Sequence, residues 1–293
     1  MQETSLEHPE LPAGVEPTPL APRWPARRAP LALLTAIGAS LACGLIVYLV
    51  AAATGVRTSP TPASVNLIST LLQDVCFIGG AMLIAAGTAR PQLWHFGLRP
   101  TRLWPAVGWG ALVWVGFLIL TALWTVLMEQ AFGITEQRQN ILDDLGVRDG
   151  STLLIATALL VCVMAPLAEE FLFRGFVFTA LRSWRGIWPA AVITGIVFGG
   201  VHVLSSPAVF IVPLAIFGFG LCLLYVRTGS LYPCIAVHAL NNSVAFGVTE
   251  GWSALGVVGL AAGAFATLAL ILTLARRLSS PAPDSAGRRP VHR

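Results

Sequence analysis

The chain has 293 residues, of which 56% are hydrophobic and only 11% are charged, and its formal net charge is +4. A soluble domain has roughly a quarter of its residues charged, so this composition excludes an ordinary soluble protein and predicts that lipid covers much of the surface. All 18 basic residues are arginine, which together with abundant Ala, Gly and Pro favours a bacterial source. Because the arginines lie at the ends of apolar stretches, we expect them to meet anionic lipid headgroups, and we expect no nucleic-acid partner.

The hydropathy pattern predicts an all-α fold, a polytopic transmembrane bundle of about eight helices. Residues 1–29 are rich in proline and lack periodicity, which indicates a disordered cytoplasmic tail. The transmembrane domain is predicted at residues 30–277, and a disordered basic tail at 278–293. The 133–150 loop is predicted to hold a short amphipathic helix. Each span has close to the roughly 20 residues that cross a bilayer, and the predicted spans are 31–56, 65–89, 104–128, 153–181, 187–204, 207–226, 231–249 and 253–275.

The placement of arginines predicts the orientation of these spans. Arginines follow every even-numbered span, for example Arg182 and Arg185 after the fourth and Arg276 and Arg277 after the eighth. The loops on the opposite side contain fewer arginines or more carboxylates. Cytoplasmic loops carry an excess of basic residues, so we predict a multi-pass protein of the bacterial cell membrane with both termini in the cytoplasm.

A first polar cluster lies inside the fourth predicted span. Charged residues are costly at bilayer depth and are functional candidates by default. Glu170 and Arg174 stand four residues apart, so they can pair along one face of a helix. Adjacent helical residues point about 100° apart, which leaves Glu169 without a helical partner of opposite charge. Glu169 is therefore the candidate for proton transfer.

Two further clusters lie in the fifth and seventh spans. His202 is the only ionisable residue of the fifth span, and Gly199 and Gly200 before it are expected to permit close approach of a neighbouring helix. In the seventh span His238 and Asn242 share one helical face. Their imidazole and amide groups can present hydrogen-bond donors to one point.

The depth of these residues suggests that they meet. At 1.5 Å per residue, Glu169, His202 and Asn242 lie roughly 16–23 Å from the same membrane surface. Asp74 in the second span lies outside the clusters and could pair with Arg174 or line a cavity. A structural role is favoured for Asp74 over a catalytic one.

These side chains permit two kinds of hydrolytic site. Glu169 and His202 can polarise and deprotonate water while His238 and Asn242 donate hydrogen bonds to an oxyanion. Alternatively, Glu169, His202 and His238 can ligate zinc, because two histidines and a carboxylate suit this metal. The residue types alone do not decide between the metal-free site and the zinc site. The sequence contains no HExxH motif, no GxSG in a span and no GxGD, which argues against three other classes of intramembrane protease.

A rival interpretation is a transport or binding protein that uses the same polar cluster for a cation or a proton. Inverted repeats and broken helices in corresponding halves would favour transport. The sequence shows no repeat, and its polar residues crowd into the second half.

The order of the three clusters resembles the CAAX prenyl protease 2-like, or CPBP, intramembrane proteases. The family pattern EExxxR, FxxxH and HxxxN on successive late helices is matched throughout. The resemblance covers roughly residues 90–250 and is strongest in a motif core at 165–245. The segments that carry it are Glu169-Glu170-Phe-Leu-Phe-Arg174, Phe198-Gly-Gly-Val-His202, His238-Ala-Leu-Asn-Asn242 and, upstream, Phe96-Gly-Leu-Arg99-Pro100.

This resemblance implies an intramembrane endopeptidase of the glutamate type or the metallo type, in a helical bundle whose cavity opens toward one leaflet. The position of Glu169 works with that of His202 on the catalytic water, and the positions of His238 and Asn242 support the oxyanion. Either no cofactor is required or a divalent metal, zinc, is bound by Glu169, His202 and His238.

The remaining implications of the resemblance concern Glu170, Arg174 and the partners. Glu170 and Arg174 assist and hold the site. The expected partners are a peptide or protein substrate at the membrane and the lipid bilayer itself, with no expectation for the oligomeric state. A prenylated CAAX substrate is implied only by eukaryotic relatives. In a bacterium, peptide maturation or immunity is as good an expectation as CAAX processing.

Overall fold

The computed structural model describes residues 6–7, 21–22, 24–134, 141–203 and 205–279. Within these ranges the chain is almost entirely helical, apart from two paired two-residue strands near the N-terminus. A 3-10 turn at Leu93–Phe96 precedes the third helix. In chain order the elements are β1 Leu6–Glu7, β2 Ala21–Pro22, α1 Arg28–Ala53, α2 Ala63–Ala86, α3 Leu103–Phe132, α4 Ile141–Asp144, α5 Ser151–Arg185, α6 Ile187–Val201, α7 Ala208–Thr228, α8 Leu231–Thr249 and α9 Ala254–Ser279.

Eight of these helices lie where the sequence predicts spans, and α4 lies within the loop predicted to hold a short helix. Six of the eight, in the described part of the chain, are long and apolar enough to cross a membrane. The other two fall short for different reasons: α6 has only 15 residues, and α8 contains His238, Asn241 and Asn242. The chain is therefore a polytopic helical bundle and an integral multi-pass membrane protein.

The helix α5 lies at the centre of the bundle. It packs against α1, α2, α6, α7, α8 and α9. Around it, α1 pairs with α2, α6 with α7, α3 with α7, and α8 with α9. The polar residues of α5 are therefore enclosed by protein, while the outer faces of α1 and α3 present large exposed hydrophobic side chains to lipid.

Two stretches of α5 are wound as π-helix, Leu160–Met164 and Phe171–Phe178. They flank the turn that contains both glutamates. Pro166 between them has no backbone N–H to donate, and the side-chain amide of Asn242 donates to the carbonyl of Val161 at 2.9 Å. In the second stretch the Thr179 hydroxyl donates to the Arg174 carbonyl at 3.0 Å. Such π-turns are frequent at functional sites.

Residues 24–29 pack against the bundle, although the sequence predicts them to be part of the tail. Trp24 is buried, with ring centroids 4.8 Å from Phe96 and 4.6 Å from Phe176. Helix α1 begins at Arg28, whose guanidinium donates to the carbonyls of Ile84 and Gly87 at 2.7 Å each. A buried indole and these hydrogen bonds fix residues 24–29 against the bundle. The remaining predicted tail residues, 1–5, 8–20, 23 and 280–293, lie outside the described residues.

The Phe96–Pro100 segment ties the turn between α7 and α8 to α5. Arg99 donates through Nε to the Gly229 carbonyl at 2.6 Å, and the Ser230 hydroxyl donates to the Arg99 carbonyl at 2.5 Å. Gly175 of α5 lies so close that a Cβ there would be 3.0 Å from the Phe96 carbonyl oxygen. The segment therefore helps to fix the start of α8, the helix that positions His238.

Candidate active site

An ion pair between Glu170 and Arg174 forms the buried base of the site. Both side chains are fully buried, and the Arg174 Nη1 to Glu170 Oε1 distance is 2.7 Å. The second guanidinium nitrogen donates to the Gly218 carbonyl on α7 at 2.9 Å. The guanidinium carbon lies 4.5 Å from the centroid of the Phe198 ring on α6. The arginine thus connects α5, α6 and α7 through charge-assisted contacts, which are the stronger kind in a low-dielectric interior.

The Glu170 carboxylate also orients His238 of α8. His238 Nδ1 lies 2.8 Å from Glu170 Oε1. The Arg174–Glu170 ion pair marks Glu170 as an ionised acceptor, so Nδ1 carries the hydrogen. The rings of Phe198 and Phe217 stand edge-on to the imidazole at 5.8 and 5.4 Å. These contacts fix the ring with Nε2 directed at Glu169.

His202 reaches the same point from the C-terminal end of α6. Its Nδ1 lies 2.7 Å from the Phe198 carbonyl oxygen, which can only accept, so this nitrogen is the donor and Nε2 is left for the site. Its side chain is 21% exposed, more than the other members of the cluster. His202 therefore lies on the accessible side of the site.

Only one of the two glycines before His202 brings another helix close. A Cβ on Gly199 would lie 2.6 Å from the Ile211 carbonyl oxygen and 2.9 Å from Ala215 on α7, whereas a Cβ on Gly200 would meet nothing within 4 Å. The expectation that both glycines permit close approach is therefore wrong for Gly200. The reason is geometric, because adjacent helical residues face about 100° apart.

The Glu169 carboxylate is the point on which both histidines converge. Glu169 Oε2 lies 4.0 Å from His202 Nε2 and 3.9 Å from His238 Nε2. This oxygen is buried and has no hydrogen-bond partner among the described residues. A buried carboxylate oxygen without a partner is costly, so its retention beside two oriented imidazoles indicates a functional site.

The separations around Glu169 correspond to a shared water better than to a shared zinc ion. Two atoms that bind one water at about 2.8 Å each are about 4.0 Å apart at a right angle and about 4.6 Å apart at the tetrahedral angle. Two tetrahedral zinc ligands with bonds of about 2.1 Å are only about 3.4 Å apart. In the described ranges no group of three His, Cys, Asp or Glu side chains is arranged as a metal site. Glu169, His202 and His238 are thus suitable zinc ligands by type, but their spacing does not fit the ion.

Five of the six predicted site residues form one connected cluster. They are Glu169, Glu170, Arg174, His202 and His238. The sixth, Asn242, lies one turn beyond His238 on α8 and donates one amide hydrogen to the Val161 carbonyl of α5. That bond leaves the other amide hydrogen for a second acceptor.

A comparison with protein-family models places this cluster in a known group. Residues 151–244 match the model described as type II CAAX prenyl endopeptidase Rce1-like. The match begins at the first residue of α5 and ends two residues after Asn242, so it contains the whole cluster.

This region is similar to that family.

The CAAX endopeptidase match covers residues 151–244 and leaves α1 to α3 outside the matched region. A search of curated proteins and one of solved structures found no significant match.

Asp74 of α2 lies outside the CAAX endopeptidase region but close to its site. It is fully buried, and neither carboxylate oxygen has a hydrogen-bond partner among the described residues, so it does not pair with Arg174. Its electrostatic partner is Glu169, and α2 packs on the turn of α5 that carries this glutamate. A charged residue such as Asp74 is unusual at membrane depth, but the sequence does not predict that Asp74 lies near Glu169.

Two other parts of the site are missed by sequence reasoning. The Gly218 carbonyl is an acceptor for Arg174, and the Phe217 ring borders His238. A backbone acceptor has no sequence signal, and Phe217 is one of 14 phenylalanines. For Gly218, the only sequence signal is that a glycine permits close approach of another helix. The structure shows this approach, because a Cβ on Gly218 would lie 2.9 Å from the Cβ of Phe198.

Proposed function

We propose that the protein is an intramembrane endopeptidase that hydrolyses a peptide bond near the membrane, with Glu169 and His202 activating water. The observation that carries the proposal is the unpartnered Glu169 Oε2, which lies 4.0 Å from His202 Nε2 in a region of the CAAX endopeptidase family. Both atoms are acceptors when Glu169 is ionised and His202 is neutral. One water can donate a hydrogen to each, which directs its lone pairs outward to a substrate carbonyl.

The hydrolytic step then follows from these positions. The water oxygen attacks the carbonyl carbon as Glu169 takes one of its protons, and the carbonyl π electrons move to the oxygen. When the tetrahedral intermediate collapses, the C–N bond breaks and the proton held by Glu169 passes to the leaving amine. His202 holds the water in line, since its Nδ1 donates to the Phe198 carbonyl and its ring centroid lies 5.0 Å from that of Phe198.

His238 and Asn242 are proposed to stabilise the oxyanion. As an imidazolium, His238 donates through Nε2 while Nδ1 donates to Glu170 at 2.8 Å. Asn242 keeps one amide hydrogen after its bond to Val161. Fixed donors of this kind stabilise negative charge that develops in the transition state. Glu170 and Arg174 act on the reaction through His238, as positioning residues.

The proposed mechanism assigns no step to a metal. A zinc ion would supply Lewis-acid activation of water, and the residues able to hold it are Glu169, His202 and His238. Their separations of 3.9 and 4.0 Å exceed those of zinc ligands. Glu169 and His202 suffice for the proton transfer described above.

The substrate is proposed to be a peptide or protein cleaved near the cytoplasmic face. The termini are proposed to be cytoplasmic, because arginines follow each even-numbered helix. Cleavage of a prenylated CAAX peptide is the first activity to test, given the family of residues 151–244. Peptide maturation in a bacterial membrane is the other candidate role.

The test is cleavage of a peptide library, including prenylated CAAX peptides, by the purified protein reconstituted in lipid. We expect Glu169→Gln and His202→Ala each to lower the rate by about 10²- to 10⁴-fold, because each removes a group that handles the proton or the water. Asn242→Ala should lower it by about 10²-fold. Asn241→Ala, one residue away, serves as the matched control and should leave the rate unchanged.

Folding of every variant is checked by thermal unfolding and gel filtration. Full activity of a folded Glu169→Gln protein would exclude the proposed base. Activity that a chelator abolishes and zinc restores would replace the water mechanism with a metal-dependent one. Absence of cleavage by the wild-type protein, with cation binding that Glu169→Gln removes, would favour the transport or binding alternative.

A further inference from the structure

A lipid-facing groove lies between α3 and α7, on the surface of the bundle away from Glu169. It encloses about 370 Å³ and is lined almost wholly by apolar side chains, a size within the usual range for small-molecule sites. On α3 the lining includes Leu112, Gly116 and Leu120, and on α7 Ile216 and Leu223. An aliphatic chain fits such a surface.

One end of the groove carries a positive charge. Arg227, in the last turn of α7, lines this end, and its guanidinium carbon lies 4.7 Å from the centroid of the Trp109 ring. The arginine is exposed, and no described carboxylate forms an ion pair with it. Tryptophan and arginine together are typical of the headgroup level of a bilayer.

The length of the groove matches one leaflet. From Arg227 to Ile216 the α7 axis advances about 16 Å, and half of a bilayer's hydrocarbon core is about 15 Å. The apolar part therefore extends from headgroup level to about the bilayer midplane. A lipid acyl chain has this length, and an anionic headgroup complements the charge of Arg227.

We infer that the groove between α3 and α7 is a binding site for one anionic phospholipid, with its phosphate at Arg227 and an acyl chain over Gly116. The inner wall of the groove connects the lipid to the site through two aromatic contacts. The ring centroids of Phe117 and Phe217 are 4.6 Å apart, and those of Phe217 and His238 are 5.4 Å apart. A bound chain thus supports the aromatic layer that holds His238. The binding itself is independent of the proposed peptidase activity.

The test counts lipids retained by the purified protein in native mass spectrometry. The protein is exchanged into equal mixtures of palmitoyl-oleoyl phosphatidylglycerol and palmitoyl-oleoyl phosphatidylcholine. We expect the wild type to retain phosphatidylglycerol preferentially and Arg227→Gln to reduce this preference about fivefold. Arg185→Gln is the matched control, since Arg185 makes the same stacking contact with Trp184, at 4.4 Å, and does not line the groove.

A second variant tests the position of the acyl chain. A Cβ on Gly116 or on Gly108 meets nothing within 4 Å, so a side chain at either position starts into open space. Gly116→Phe fills the groove and should remove the retained lipid, whereas Gly108→Phe should not. Unchanged retention in both Arg227→Gln and Gly116→Phe would overturn the inference. So would a dimer that Gly116→Phe dissociates with no change in lipid retention, because the groove would then hold a second copy of the chain.

Discussion

The helices α3 and α5 have almost the same mean hydropathy but opposite roles. In the most apolar 18-residue window of each, 6% of α3 is buried inside the protein and 33% of α5. Helix α3 meets lipid along much of its length, while α5 is enclosed by six other helices. Apolar composition therefore identifies a membrane span without telling whether lipid or protein surrounds it.

The two helices differ in where their charged residues lie along the span. In α3 the charged residue of the span, Glu129, lies near the C-terminal end, whereas Glu169, Glu170 and Arg174 lie in the middle of α5. At membrane depth such groups need protein partners, and only a central helix can obtain them from several neighbours at once. The following predictions test this contrast.

The largest effect on stability is expected at Arg174. Arg174→Met keeps the length of the side chain but leaves Glu170 buried without its ion pair. Breaking a buried pair on one side costs about 3–5 kcal/mol, so unfolding in a fixed detergent should occur at a much lower temperature. Val115→Met on α3 is the control, because Val115 is 48% exposed and the change should lie within about 0.5 kcal/mol.

The double variant Glu170→Gln/Arg174→Met sharpens this prediction. Removing both charges eliminates the uncompensated carboxylate, and most of the lost stability should return. Equal stability of the single and double variants would mean that Glu170 finds another partner when Arg174 is absent.

The sequence was sufficient to predict the helices and the ion pair of the site. Regular spacing places Glu170 and Arg174 on one face, and the pair forms at 2.7 Å. The depth of Glu169 and His202, counted from the ends of their spans, agrees with the observed separation of 4.0 Å. These features depend on local periodicity and on bilayer thickness, and both can be determined from a single chain.

Features that depend on which faces of two helices meet could not be predicted. Gly199 and Gly200 are indistinguishable in sequence, yet only Gly199 contacts α7. Asp74 is apart from the clusters along the chain and near Glu169 in space. The π-turns of α5 depend on Pro166 together with an amide from α8, a combination that the sequence of one helix does not contain.

A moderate effect is expected at the contact between α6 and α7. Gly199→Ala introduces a methyl group 2.6 Å from the Ile211 carbonyl oxygen, so the helices must separate at a cost of about 1–3 kcal/mol. Because His202 follows three residues later, peptidase activity should fall as well. Gly200→Ala meets open space and should instead stabilise the protein by about 0.5–1 kcal/mol. Thermal unfolding and the cleavage assay on both variants check this, and the contrast fails if both alanines have the same effect.

The smallest effect on stability is expected at Asp74, and there stability and activity should change in opposite directions. Asp74→Asn keeps the shape of a side chain whose two oxygens are buried without partners, and removing an unpaired carboxylate should raise the unfolding free energy by about 1 kcal/mol. The same change removes an ionisable group that interacts electrostatically with Glu169. Because a neighbouring carboxylate, when ionised, favours transfer of a proton from water to Glu169, cleavage should slow by about tenfold at a pH at which Asp74 is ionised.

Val75→Ala is the control for this prediction, since Val75 follows Asp74 directly and is 56% exposed. Higher stability with slower cleavage in Asp74→Asn would mean that the buried carboxylate is kept for function at the expense of stability, as is common in active sites. Lower stability would mean that Asp74 is bonded within the folded protein and has a structural role. Higher stability with unchanged cleavage would mean that Asp74 does not influence proton transfer to Glu169. The helices outside the family region would then contribute packing to the site but no charge.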